Sequence, residues 1–518
     1  MNSRTRTLLN TLFSSVGIYT EYLLGMVTSV IIARHLGPES FGTYSLVIWF
    51  VAMGVAFTNS GTSSTAIKFI AELRGEGREE LVPTLVAYLR RAQQMFLLGV
   101  AAVGAALFLF AGERVIPGIN HLMLLGFLVI AVMLRATYMF NVGVAKGFEN
   151  FRATALIALI ATPTNLLLVI VAIWFDAPLE WLLAVFTISG VVFYAVSWQQ
   201  VRKMLPAKAE RVPLPPILMD RVRRYMLLTA MTVTFGFCVA SEVEVLFLNL
   251  YADAEASGHF KVAYQLAVGA ASLVPGVFGA LLLPMMASAL TQSREMAGQR
   301  FVASTTYLVL LAAPLIAFGF DFSNEVIHLL YGPAYAAAGP VFAVCLAAAS
   351  ITSATQGGSS LIISADRQGT ILLMVIICGV LKVALGLFLV KQMGLYGAVL
   401  AYLLVSLIGD AIIIAMAMRV GRTRPDWPRL GRVVLAAAVA ALVAYPMRWQ
   451  PMPWLAVIGG GALLVGVYLP LTVLLGCWSH RDLNHLQELH GRLLSGRPLM
   501  AARFLEWGRA RALQKEAA

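Results

Sequence analysis

Fourteen apolar runs of membrane-crossing length follow one another along the chain, and few folds tolerate that pattern. They fall near residues 8–33, 41–67, 83–111, 121–145, 153–175, 180–200, 225–250, 258–290, 301–320, 338–363, 369–390, 395–418, 432–447 and 453–477. A helix needs about 20 mostly apolar residues to cross a bilayer. Barrel strands are only about 10 residues long and alternate apolar with polar, which these runs do not. Open sheets would leave backbone groups unpaired in hydrocarbon, so helices remain. The predicted fold class is an all-α polytopic membrane protein with 14 transmembrane helices. Of its 518 residues, 59% are hydrophobic and 12% charged, against about 45–50% and about 25% in soluble chains. That balance excludes a disordered chain, a disulfide scaffold and a cytosolic enzyme.

Lysine and arginine set the orientation. With the N-terminus in the cytoplasm, the cytoplasmic segments hold 31 of the 38 basic residues. The outer loops hold five (Arg34, Arg114, Lys261, Lys391, Arg448) and the spans two, Arg135 and Lys382. A miscounted span would scramble every later loop, so this bias predicts both termini inside. The net charge of +12 is then a topology signal that favours anionic lipid at the inner face, and no nucleic-acid partner is expected. Arg4 and Arg6 before the first run imitate a signal peptide. That run is longer than an h-region and lacks a small-residue cleavage site, so an uncleaved first span is expected.

The polar stretch at 201–224, with prolines at 206, 213, 215 and 216, reads as a cytoplasmic linker. It divides the chain into an N-lobe (1–200, spans one to six) and a C-lobe (225–418, spans seven to twelve). Shifting the sequence by 216 residues lays Leu36–Tyr44 over Ala252–Phe260, with Glu39 on Glu255 and Gly42 on Gly258. Leu179 falls on Leu395 and Phe186 on Tyr402 under the same shift. An even number of spans separates the copies, which predicts two lobes related by a parallel repeat. Residues 419–477 add spans 13 and 14. Residues 478–518 read as a basic amphipathic tail on the inner membrane surface, with Leu483, Leu486, Leu489 and Leu493 at helical spacing.

The four cysteines lie in or beside apolar runs with no metal-ligand spacing, and the seven histidines form no HExxH. No Walker A, G-x-S-x-G or post-strand GxGxxG occurs, so an ATP-driven pump is not expected and no cofactor is assigned.

Charges inside spans are the costly residues, at about 2.5–3.5 kcal/mol each near mid-bilayer, and so the informative ones. They are Glu21, Arg135, Glu242, Glu244, Lys382 and Asp410; Arg34 and Lys68 stand at span ends. Arg135, Tyr138 and Asn141 recur at three-residue steps and form a polar stripe on span four. A planar guanidinium suits bidentate capture of phosphate oxygens, and an adjacent aromatic suits stacking. Arg135 alternatively forms a structural ion pair with Glu21 or another carboxylate. Glu21 either counters Arg135 or relays a proton. Glu242 and Glu244 stand about 200° apart on an ideal helix, so at most one faces a cavity. Lys382 and Asp410, in neighbouring spans, either pair with each other or serve substrate and ion separately. The expected substrate-binding set is Arg135, Arg34, Tyr138, Asn141, Lys68 and Lys382. The ion-coupling set, for H+ or Na+, is Glu21, Glu242, Glu244 and Asp410. Asn59, Asn165, Asn249 and Gln356 either line the same cavity or bridge helices. Pro163, Pro275, Pro284 and Pro314 are expected to interrupt spans, and such breaks either permit bending or serve packing alone.

The block ARHLGPESFGTYSL (Ala33–Leu46) resembles the first outer turn of polysaccharide exporters in the multidrug/oligosaccharidyl-lipid/polysaccharide superfamily. AIKFIAELRGEG (Ala66–Gly77), KGFENFRATAL (Lys146–Leu156) and GLYGAVLAY (Gly394–Tyr402) resemble later inner-loop and span-twelve patterns of that family. The resemblance implies two six-helix lobes around a central cavity, with two further C-terminal helices. It also implies that the protein is a flippase and no enzyme. Such a flippase carries a polyprenyl-diphosphate-linked oligosaccharide to the outer leaflet of the cytoplasmic membrane, for an O-antigen or exopolysaccharide pathway. A lipid II-type flippase and a multidrug or cation antiporter of the superfamily are the alternatives. A scaffold for a polysaccharide synthase or polymerase would keep the buried charges as structural groups only.

Overall fold

Breaks in the apolar runs decide how the chain is built, and most of the span prolines do not make them. The computed structural model describes residues 3–59, 61–116, 120–205, 212–240, 242–276 and 279–478. Its helices are α1 (Ser3–Thr58), α2 (Thr62–Gly75), α3 (Val82–Val115), α4 (His121–Gly147), α5 (Phe151–Trp174) and α6 (Leu179–Met204). There follow α7 (Pro216–Ala240), α8 (Val243–Tyr251), α9 (Ala254–Ala271), α10 (Gly279–Leu290), α11 (Arg294–Tyr331) and α12 (Ala338–Ala354). The last five are α13 (Gln356–Ser364), α14 (Gln368–Met393), α15 (Leu395–Gly421), α16 (Trp427–Ala444) and α17 (Pro453–Leu474). No strand occurs among the described residues.

Eleven helical segments among the described residues are long and apolar enough to cross a membrane. Expected spans one and two share α1, which is kinked at Gly37 (φ 72°) ahead of Pro38. Positive φ carries no steric cost at glycine, and proline cannot continue the helical hydrogen bonding. Expected spans seven and eight fall on broken pairs, α7–α8 and α9–α10. Span ten breaks at Thr355, between α12 and α13. Three of the prolines expected to interrupt spans lie inside continuous helices instead: Pro163, Pro284 and Pro314. A membrane helix tolerates the lost bond when neighbouring groups cover the freed carbonyl. Only Pro275 sits in a break, in the turn after α9. Within the expected linker, residues from Pro216 onward are the first turns of α7, since proline fits a helix start. Beyond its first residue, Trp478, the expected tail lies outside the described residues.

The helices group into two compact units. One comprises Met1–Lys261 with Val375–Ala398, the other Val262–Met374 with Val399–Ala518. In the first, α1 and α5 run parallel: Gly17 lies on the Ala155 backbone, and His35 meets the Ala177 carbonyl at 2.9 Å. α4 runs parallel to α6 and antiparallel to α3 (Arg135 to Ser189, Asn141 to Ser197; Gln93 to Ala136, Arg90 to Asn141). The segment 375–398 joins this unit through α8. Lys382 faces Glu244, Gly386 faces the Phe247 ring, and Lys391 stands over Tyr251 at 4.5 Å. Those three contacts ascend both helices together, so α14 and α8 are parallel.

In the second unit α11 is the central post. α12 packs antiparallel to it at Gly319–Leu346, α17 at Phe322–Gly460 and Leu310–Tyr468, and α15 at Gly298–Gly421. Spans 13 and 14 therefore dock on α11, and Arg448 beside α16 reaches Glu325 at 3.8 Å.

The 216-residue repeat has a physical counterpart. A Cβ on Gly42 would strike the Ala254 carbonyl, and one on Gly258 would strike the Pro38 carbonyl. Pro38 shifted by 216 is Ala254, so the contact is reciprocal, as a local two-fold relation requires.

Candidate functional site

The first unit holds its polar groups along the seam between α4 and α6. α6 supplies Phe186, Ser189, Phe193 and Ser197, at spacings of three to four residues that place them on one face, with Trp198 next to Ser197 at its flank. Arg135 on α4 donates through Nη2 to Ser189 Oγ at 2.9 Å. Its guanidinium lies 4.4 Å from both the Phe186 and Phe193 ring centroids. Its Nε, which faces Gly190, is buried and has no hydrogen-bond partner. No carboxylate lies within 4.0 Å of Arg135 among the described residues, so the alternative ion pair with Glu21 is not formed.

Glu21 instead accepts a long 3.4 Å hydrogen bond from the Tyr138 hydroxyl, and Tyr138 packs on Phe193 with centroids 4.8 Å apart. Glu21, Tyr44 and Tyr138 all lie within electrostatic reach of Arg135. Asn141 is fully buried, donates to Ser197 Oγ at 3.1 Å and accepts from Arg90 Nη2 at 3.1 Å. The positive-inside count places Arg90 among the cytoplasmic charges, yet α3 carries it more than two turns into the helix. It stands 4.6 Å over the Trp198 ring. The signal available in the sequence is an Arg-Arg pair eight residues after a helix start, ahead of an unbroken apolar run. One turn on, Gln93 bonds both Asn59 Oδ1 (2.8 Å) and the Ala136 carbonyl (2.9 Å), so Asn59 bridges helices.

The other expected site residues sit elsewhere. Thirteen residues separate Arg34 from Glu21 along α1, about 20 Å of helix, and Arg34 is exposed just ahead of the Gly37 kink. Lys68 on α2 is exposed, 4.1 Å over the Tyr225 ring. Lys382, expected to bind substrate or pair with Asp410, is 1% exposed. It contacts Glu244 at 3.3 Å and donates to the Val239 carbonyl at 2.9 Å, across the break between α7 and α8. α14 lies beside α8, which sequence proximity does not reveal. Glu242 precedes the first turn of α8, so the ideal-helix angle to Glu244 does not apply. Both its oxygens meet Lys261 at 2.8 Å. In the second unit, buried Asp410 accepts from Thr352 and Thr355 hydroxyls, each at 2.8 Å, at the α12–α13 break. Among the described residues no group of three or more His, Cys, Asp or Glu could hold a metal ion.

An apolar cavity of about 570 Å³ also lies in the first unit between α1, α3, α4 and α8, lined by Phe50, Phe57, Val103, Leu107, Val132 and Leu246.

Residues 7–290 match a family described as polysaccharide biosynthesis protein. No curated protein matches in sequence. Among solved structures, the lipid II flippase MurJ in an inward closed conformation is similar at TM-score 0.72 and 13% identity, covering 91% of this chain and 99% of that one. An inward-facing multidrug resistance MATE family transporter of the MOP superfamily is similar at TM-score 0.62 and 13% identity, covering 80% and 99%. An outward-facing multidrug resistance MATE family transporter reaches TM-score 0.51 at 14% identity, covering 82% and 97%. These neighbours are a flippase and transporters, and none is an enzyme. The match over more than half its length and the shared helical fold make the chain a multi-pass membrane protein of the polysaccharide biosynthesis family.

Proposed function

We propose that this protein flips a polyprenyl-diphosphate-linked oligosaccharide from the inner to the outer leaflet of a cytoplasmic membrane, by alternating access. The single observation that carries the reading is Arg135. Its cation is set within a membrane helix, held between two aromatic rings, and has no carboxylate within 4.0 Å. An unneutralised charge there is costly unless an anion arrives, and a guanidinium fits phosphate oxygens bidentately. A diphosphate and its sugars cannot cross hydrocarbon unaided, whereas the prenyl tail remains in lipid. The protein need only hydrate and neutralise the head group; no bond is made or broken.

In this reading the chain crosses fourteen times with both termini inside. Helix directions within each unit support it, because parallel neighbours are always an even number of expected spans apart. Tyr138 and Asn141 shape the Arg135 site, and Arg34 lies on the outer exit side. Glu21 and Asp410 are the carboxylates left for H+ or Na+ coupling, since lysines hold Glu242 and Glu244. A polymerase or other assembly protein receives the flipped lipid. The MurJ likeness over 91% of the chain favours a lipid II-type substrate as the second reading.

Leaflet-resolved labelling of lipid-linked sugars in depleted cells tests the reading. Accumulation on the cytoplasmic face supports it and identifies the glycan. Normal arrival at the outer face, with polymer still missing, contradicts it and favours a scaffold.

A further inference from the structure

Arg90 repeats the Arg135 environment one step further in. Each arginine comes from a helix packed on the seam and stacks on an α6 aromatic, Trp198 at 4.6 Å or Phe186 and Phe193 at 4.4 Å. Each is tied to an α6 serine, Arg135 directly and Arg90 through Asn141. Both keep a buried Nε with no hydrogen-bond partner, and neither has a carboxylate within 4.0 Å among the described residues. A structural arginine of a membrane helix would normally be neutralised by an acidic partner. These two share a seam without one, although Glu21 lies close enough to be bonded by Tyr138.

We infer that Arg90 is a second anion-binding residue, a receiving station for the diphosphate on the cytoplasmic side of Arg135. Its partner Asn141 lies six residues from Arg135 on α4, about 9 Å along the helix. That rise is too great for both guanidinia to grip one phosphate group and suits one guanidinium on each phosphate of a diphosphate, Arg90 being met first and Arg135 second. Arg90 meets α4 near its inner end, at the level where a head group enters from the cytoplasmic leaflet. Arg135 lies deeper. Trp198, 39% exposed beside Arg90, offers a face for the first sugar or isoprene unit. Arg91, next in sequence, is exposed and lies about 100° round the helix from Arg90, so it serves as a control carrying the same charge.

The inference rests on the flippase reading, and its test separates the two. Purified full-length protein in nanodiscs of neutral phosphatidylcholine is titrated with radiolabelled farnesyl diphosphate, with farnesol as the uncharged competitor. Arg90→Met and Arg135→Met are each expected to weaken diphosphate binding about tenfold, the loss of one charge-assisted contact. The double variant is expected to bind more weakly than either single one, because both stations hold the same anion. Arg90→Lys keeps the charge but loses the planar fork and the stack, and is expected to bind between wild type and Arg90→Met, which shows that a folded variant was measured. Arg91→Met is expected to bind as wild type does. Unchanged binding in Arg90→Met, with Arg135→Met impaired, overturns the inference and leaves the flippase reading standing. Equal loss in Arg91→Met also overturns it, as a net-charge effect. Failure of the wild type to prefer the diphosphate over farnesol overturns both.

Discussion

The buried pair Lys382–Glu244 offers a perturbation whose size follows from its surroundings. Lys382 is 1% exposed and Glu244 fully buried, 3.3 Å apart, and the ammonium also caps the Val239 carbonyl at 2.9 Å. Lys382→Met keeps the volume but leaves a buried carboxylate without its cation, at about 3–5 kcal/mol. Glu244→Leu leaves a buried ammonium and costs a similar amount. The double variant has no buried charge. It forfeits only the donor to Val239, left free by the helix break, at about 1–3 kcal/mol. The two single losses therefore exceed the double by at least about 3 kcal/mol. Unfolding free energies in mixed SDS micelles, measured as a double-mutant cycle, read this coupling. Single effects that add to within about 0.5 kcal/mol would refute a closed pair. The docking of α14 on α8 would then have to rest on Gly386 against Phe247 and Lys391 over Tyr251.

Further expectations come from other contacts. Gly42→Leu and Gly258→Leu are each expected to destabilise by about 1–3 kcal/mol or more, because the facing atoms are backbone carbonyls that cannot swing aside. The double variant should be little worse than either single one, since one insertion already parts the crossing; full additivity in a stability assay would contradict the reciprocal contact. Asp410→Asn should fold within about 1 kcal/mol of wild type, because both threonine hydroxyls can reorient, whereas Asp410→Leu should cost about 1–3 kcal/mol, since the Thr352 hydroxyl loses its acceptor while that of Thr355 keeps the Thr352 carbonyl at 2.9 Å. If Asp410 couples an ion, Asp410→Asn abolishes gradient-driven transport while stability holds; retained transport excludes that role. Gly190→Val should displace Leu134 and Arg135 and weaken binding of prenyl diphosphate by an order of magnitude while farnesol binding is unmoved.

Much of this is legible in the chain because lipid imposes simple rules. Hydrocarbon forces apolar runs into helices, and it makes every embedded charge conspicuous, which is why Arg135, Tyr138 and Asn141 can be named from spacing alone. What escapes depends on who neighbours whom. Arg90 lies where an arginine ordinarily marks a cytoplasmic end, so position disguises it. Span order sets Lys382 against Asp410 because their spans are consecutive, but α14 lies along α8 and gives it Glu244. Proline advertises breaks that Pro163, Pro284 and Pro314 do not make. The breaks at Gly37, after Ala240 and at Thr355 arise from backbone freedom and from side chains that cap exposed carbonyls. The identity of Gly42 with Gly258 is visible in the chain, whereas its cause, two backbones crossing without side chains between them, needs coordinates.

Translocation by Arg135 is the central claim, and reconstitution measures it most directly. Prenyl-diphosphate oligosaccharide is placed in both leaflets of proteoliposomes, and an added membrane-impermeant glycosidase reports what it can reach. With the wild type, the inner-leaflet pool should become accessible, and with Arg135→Met it should stay protected although the protein remains folded. Protection with the wild type, or equal exposure with both proteins, would contradict the account.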